Sequence, residues 1–205
     1  MLASCQKEVE IDLGDDINNP GTGTGPNPQP GTSDKSIEGN WRFVKMLITL
    51  NSTMEMPVSG ISSKFVLSMN APSSGEGGTL AIGAANMKTE GITYAINTTA
   101  SLQMFAAGMP VGTDQLPVAI LQPPAGNEVT YTRIGNDSLR TSAPLVNIEV
   151  EGFEDLEMPI GGRIGWLKDT LVLTSLINQQ YSDNSTGVTM TMSGNGKQVL
   201  KFVKQ

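Results

Sequence analysis

Lys64-Phe65-Val66-Leu67-Ser68-Met69-Asn70 alternates apolar and polar residues, so Phe65, Leu67 and Met69 share one face of an extended chain. Successive side chains of a strand point to opposite faces, and this spacing marks a strand with one wet side. The same pattern returns at residues 145–151, where Val146, Ile148 and Val150 oppose Asn147, Glu149 and Glu151. It returns again at 187–193, where Val188, Met190 and Met192 oppose Thr189, Thr191 and Ser193. Further strands are expected at 41–49, 92–98, 118–122, 128–133, 138–142, 170–178 and 198–204. Gly135-Asn136-Asp137, Ser182-Asp183-Asn184 and Gly194-Asn195-Gly196 carry turn chemistry, and the last predicts a tight hairpin between the two final strands. One stretch, 100–107, also fits a helix, with Leu102, Phe105 and Met109 at helical spacing. About ten strands joined by short turns predict an all-β fold, an antiparallel barrel with a β-sandwich as the alternative.

Composition supports this class. The 205 residues carry few charges, 23 Gly and 12 Pro, with Ser, Thr and Asn abundant. A net charge of −7 argues against a nucleic-acid partner, which needs clustered Lys and Arg. No apolar run approaches the roughly 18 residues of a membrane-crossing helix. With no His and one Cys, the sequence offers no intrachain disulfide, no His–Cys zinc site and no Ser–His or Cys–His nucleophile pair.

Ahead of the strands lies a segment of different character. Residues 14–34 hold Asn19-Pro20-Gly21-Thr22-Gly23-Thr24-Gly25-Pro26-Asn27-Pro28-Gln29-Pro30-Gly31, with almost nothing apolar to offset the entropy of ordering. Thirty residues of such chain span roughly 30 Å. The expected organisation is an N-terminal address at 1–5, a flexible tether at 6–36 and a β domain at 37–205.

Leu2-Ala3-Ser4-Cys5 resembles a bacterial lipobox, an aliphatic residue and two small ones before the Cys that receives lipid. The resemblance implies acylation of Cys5, and a natural start upstream of Met1. Gln6-Lys7-Glu8, with Glu10 and Asp12, resembles the Lys/acid-rich export signal of surface lipoproteins in Bacteroidetes-type bacteria. That implies lipid anchoring at the outer membrane, on the cell surface.

Ile37-Glu38-Gly39-Asn40-Trp41-Arg42-Phe43 resembles the Gly-x-Trp entry of lipocalin-like (calycin) barrels. The resemblance implies that Gly39 allows a tight bend and that Trp41 packs across the closed end of a barrel. The family usually covers this Trp with Arg; here the basic residues near the right place are Lys201 and Lys204. A lipocalin-like lipoprotein would bind a small apolar or amphipathic ligand. Phe65, Leu67, Met69, Met190 and Met192 would supply apolar wall, and Tyr94 and Tyr131 the hydrogen-bonding groups. For the methionines, core filler is the commoner role and pocket lining the second. The alternative function is a structural or adhesive surface module that binds protein or glycan through its outer face.

A third reading is enzymatic. Glu149-Val150-Glu151-Gly152-Phe153-Glu154 resembles the carboxylate strand of jelly-roll β-glucanases, with Glu149 and Glu154 as the reacting pair. Glu replaces the central Asp, Gly152 would disturb the strand, and aromatics are only 5% of the chain, too few for a sugar platform. Glu154, Asp155 and Glu157 offer oxygen ligands to calcium but match no defined loop. The expectation is a non-catalytic protein without cofactor or resident metal.

Overall fold

The computed structural model describes residues 36–58, 60–146, 158–184 and 189–205. Cys5, the tether, the carboxylate strand at 149–154 and residue 188 lie outside them. Among the described residues no helix forms. Eight strands follow in chain order: β1 (Gly39–Val58), β2 (Ile61–Ile82), β3 (Asn86–Ala106), β4 (Met109–Ile134), β5 (Ser138–Thr141), β6 (Gly162–Leu167), β7 (Thr170–Asp183) and β8 (Met190–Lys204). Each pairs antiparallel with its sequence neighbour, and β8 returns to β1. The result is an all-β, closed antiparallel barrel rather than a sandwich.

The strands differ greatly in length. β1 to β4 run 20 to 26 residues, whereas β5 has four and β6 six. Only at the level of β5 and β6 is the ring complete. Beyond it, six strands continue in the order β4-β3-β2-β1-β8-β7 as an extension in which, among the described residues, no strand joins β4 to β7. A straight strand of 26 residues would measure about 85 Å. These strands instead bend at a row of irregularities between ring and extension. The row crosses β1 at 43–46, β2 at 73–78 and β3 at 90–93. Inserted residues bend a strand and increase its twist. Phe43 pairs with Phe202 and Lys45 with Lys201, so Val44 is the insertion on β1. It switches the inward set from Trp41 and Phe43 to Met46, Ile48 and Leu50, all buried. Polar groups stitch the bend. The Met46 amide donates to Ser73 Oγ at 2.7 Å, which donates to Glu76 Oε1 at 2.6 Å. Lys45 Nζ stands 3.3 Å from the same carboxylate and donates to the Ser73 carbonyl.

Several sequence expectations need correction. Residues 118–122 and 128–133 belong to one strand, β4, which passes through Pro123-Pro124 by a register break. Residues 100–107 are not helical: 100–106 end β3, held by β2 on one side and β4 on the other. The turn follows at Ala107 and Gly108, both at positive φ (50° and 78°), the two-residue hairpin geometry that matches strand twist. No hairpin forms at Gly194-Asn195-Gly196, where β8 runs straight between β1 and β7. Gly196 serves close approach rather than turning. A Cβ at Gly196 would collide with the Thr49 carbonyl oxygen and come within 3.2 Å of Leu50 Cα.

Gly196→Ala is therefore expected to destabilise the barrel by about 1–3 kcal/mol through overpacking. Asn195→Ala, on the exposed face, should stay within about 0.5 kcal/mol of the parent. Urea denaturation reads both, and equal midpoints for the two variants would contradict the straight passage of β8.

Candidate functional site

Trp41 fixes the closed end. Gly39 enters β1 at φ +128°, a conformation that favours glycine, and the Lys204 side chain passes where a Cβ would sit (Cε at 3.7 Å). Trp41 is 1% exposed, and its indole Nε1 donates to the Ile37 carbonyl at 2.8 Å. One neighbour is Trp166, ring centroids 5.7 Å apart at 53°. The other is the Lys204 ammonium, 5.7 Å from the ring centroid, within cation–π range. Lys201 lies opposite Lys45 in the β1–β8 register, so the basic residue over the indole is Lys204. Trp166 escaped the sequence reading because it sits on β6, a six-residue strand broken by glycine and lacking clean alternation.

The two tyrosines belong to this packed region. Tyr94 is buried and meets Phe43 edge-on at 6.4 Å, and Phe43 in turn packs on Phe202 at 5.6 Å. The Tyr131 hydroxyl donates to the Gly83 carbonyl at 2.9 Å. Burial pushes its phenol pKa above the usual value, the Glu38 carboxylate adds to the rise, and Arg133 opposes it. The internal spaces bounded by described residues are small. One of about 20 Å³ lies beside Thr141 and Gln198, and Thr141 Oγ1 is buried without a protein partner. That space fits a single water. A second, of about 60 Å³, lies between the β3–β4 bend and Leu145-Val146.

The extension has a different character. Phe65, Leu67, Met69, Met190 and Met192 all fall on its inner face, half-buried, away from Tyr94 and Tyr131. Cross-strand register adds Met54, Leu102 and Met104: Met54 pairs with Phe65 and with Met192, Phe65 with Met104, and Leu67 with Leu102. Directly opposed residues share a face. Leu102 and Met104 were hidden by the helical reading of 100–107; their period-2 spacing was the available signal.

A groove of about 410 Å³ runs along β1, β8 and β7, lined by outer-face polar residues and by Met192. Thr53, Ser193 and Gln180 form one row across the three strands, and Glu55, Thr191 and Ser182 the next. Glu55 is offset by Lys64 at 3.5 Å. Among the described residues no group of three or more Asp, Glu or Cys could hold a metal ion. No protein-family model, curated protein or solved structure matches the chain.

The Tyr131 hydrogen bond leads to a pH prediction. A raised folded-state pKa means the neutral phenol stabilises the fold. That contribution is complete below the unfolded value near 10 and is lost as pH rises through the folded pKa. Tyr131→Phe should cost about 1 kcal/mol at neutral pH. In ultraviolet titration, the component missing from the variant should have a midpoint above that of a free phenol. A midpoint at or below the free value would refute the arrangement.

Proposed function

We propose that this chain is a non-catalytic, lipid-anchored surface protein of lipocalin-like type that holds a small apolar or amphipathic ligand on the inner face of its extension. One observation carries the reading: the ring is filled by aromatics, but the half-buried face that continues from it is lined by Met54, Phe65, Leu67, Met69, Leu102, Met104 and Met192. Covering such surface contributes roughly 25 cal/mol per Å². Thioether side chains adapt to irregular guests, so selectivity would be broad. The Gly39, Trp41 and Lys204 arrangement supports the lipocalin-like assignment, since the family closes its barrel with a basic residue over this Trp. Anchoring would come from acyl chains on Cys5 at the outer membrane, facing outward; nucleic acid is no partner for so acidic a chain.

A second reading rests on the outer groove. Its six polar side chains suit hydroxyl-rich or peptide groups, and would make the domain an adhesive module binding glycan or protein.

A naphthalene-sulfonate probe separates the two. Its fluorescence should rise on binding the soluble chain. Leu102→Glu, on the inner face and outside the groove, should lower its affinity at least about tenfold, the effect of losing roughly 1.4 kcal/mol. Thr191→Arg, in the outer groove, should leave it unchanged. Absence of probe binding to folded protein would remove the apolar-ligand reading. Anchoring is tested separately: expressed behind a lipoprotein leader, the chain should incorporate labelled fatty acid, and Cys5→Ser should abolish the label. Equal labelling of both would refute acylation at Cys5.

A further inference from the structure

The outer face of β1, β8 and β7 continues past the groove toward the clasped end, and its rows change character in order. Next to the row of Thr53, Ser193 and Gln180 comes Asn195, with Asn51 opposite it on one side and Asn178 on the other. All three asparagines are exposed. Among the described residues, none of their side-chain amides has a hydrogen-bond partner.

Beyond the asparagines the face turns cationic. Lys197 stands opposite Thr49 and Leu176, Lys201 opposite Lys45 and Val172, and Arg42 opposite Val203. Directly opposed residues share a face, so these cations lie on the same side of the sheet as the groove. Four residues of strand separate Lys197 from Lys201, roughly 13 Å between their Cα atoms. Lys45 is engaged by Glu76. Arg42, Lys197 and Lys201 have no carboxylate partner among the described residues. On the described outer positions of these three strands the one carboxylate is Glu55, at the far end and beside Lys64. A local excess of one sign attracts the opposite charge even on a chain whose net charge is −7.

The rest of the face decides the kind of anion. From Leu47 to Glu55, β1 is bonded by β2 and β8, and β8 is bonded by β1 and β7. A peptide that adds as a strand needs a free edge, and neither of these central strands has one. Recognition falls to side chains, and those available are amides and hydroxyls in rows beside the cations. They suit a ligand dense in hydroxyls that also carries negative charge. Leu47 and Val199, opposite each other between the two lysine rows, present apolar surface against which the C–H face of a sugar ring can lie. No aromatic ring occupies the described outer positions of these strands. A neutral sugar therefore lacks a stacking platform, whereas a charged one is held by its acid groups.

We propose that the outer face of β1, β8 and β7 binds an acidic polysaccharide. Its hydroxyls lie on the asparagine row and the groove, and its acid groups on Lys197, Lys201 and Arg42. The proposal rests on the reading of the outer groove as an adhesive surface, extends that surface toward the clasped end, and adds a requirement for charge.

Three polymers test it, each titrated calorimetrically into the full chain carrying Cys5→Ser, which prevents thiol cross-linking. Polygalacturonate has hydroxyls and charge, its methyl ester has hydroxyls without charge, and polyglutamate has charge without hydroxyls. Polygalacturonate should bind, more weakly as ionic strength rises. The ester and polyglutamate should each bind at least about tenfold more weakly. Lys197→Gln combined with Lys201→Gln should lower the affinity for polygalacturonate about tenfold. Asn195→Ala, which keeps the charge, should lower it about fivefold. Lys88→Gln, at an exposed cation on β3, should leave it unchanged. Should the double lysine variant fail to fold, Asn195→Ala and the polymer series decide. Ester binding equal to that of the acid overturns the charge requirement and leaves the adhesive reading in place. Polyglutamate binding equal to that of polygalacturonate makes the partner an acidic peptide and overturns the proposal. Binding that the lysine and asparagine variants leave unchanged puts the site elsewhere and overturns it equally. Absence of binding by all three polymers overturns both the proposal and the adhesive reading beneath it.

Discussion

The barrel closes through β5 and β6, and these strands share two residue pairs, Ser138 with Arg163 and Leu139 with Gly162. The clasp gains one further bond where the Ile164 amide donates to the Asp137 carbonyl at 2.6 Å. The Arg163–Asp137 ion pair at 3.6 Å is solvent-exposed and adds little. Gly161 lets the chain approach β5, since a Cβ there would collide with the Leu139 carbonyl, and Gly162 lets β6 approach β7, where a Cβ would collide with the Thr174 carbonyl. So short a ladder cannot hold the ring by hydrogen bonds alone. Buried Leu139 and Ile164, with Trp166 leaning on Trp41, tie it to the core. Its shortness shapes the rest: where β5 and β6 stop, the described strands continue as a six-stranded sheet whose inner face these two strands do not cover.

The row of irregularities divides the molecule into two kinds of interior. On the ring side and at the row itself the inward positions carry Trp41, Phe43, Tyr94 and Phe202, and two spaces among them and their neighbours measure about 20 and 60 Å³. Beyond the row come buried aliphatics such as Ile48, Leu50, Ile96 and Ile177, and then thioethers and aliphatics of intermediate exposure, with Phe65 the large ring among those named. Aromatics are scarce in this chain, and it concentrates them where rigidity closes the fold. The adaptable side chains lie beyond the reach of β5 and β6.

Alternation in 64–70 revealed a strand and its inner face directly, because that segment contains no insertion. The barrel class followed from the number of such segments. Legibility failed where one residue was added or removed. Val44 exchanges the inward and outward sets within β1, so the simple alternation of 41–49 predicts a wrong face beyond Phe43. Glycines at 194 and 196 read as a turn because local sequence cannot report that β8 pairs with β1 and β7 on its two sides, with β1 pressed against Gly196. β6 went unread because its burial is supplied by partners distant in sequence, Trp41 among them. Of the proposed binding residues, the five on the inner face were legible from period 2. The tyrosines were displaced from them because hydrogen-bonding capacity says nothing about depth along a barrel.

The pairing of Trp41 with Trp166 has an optical consequence. These are the two indoles of the chain, 5.7 Å apart and tilted by 53° at the clasped end. Chromophores so placed couple their excited states, and give near-ultraviolet dichroism and emission that depend on their mutual orientation. Intrinsic tryptophan light from this protein therefore gauges whether the ring is shut. It is blind to events at the far end of the extension, so a guest there has to bring its own dye to be seen. An opening of the clasp, by contrast, announces itself without any label.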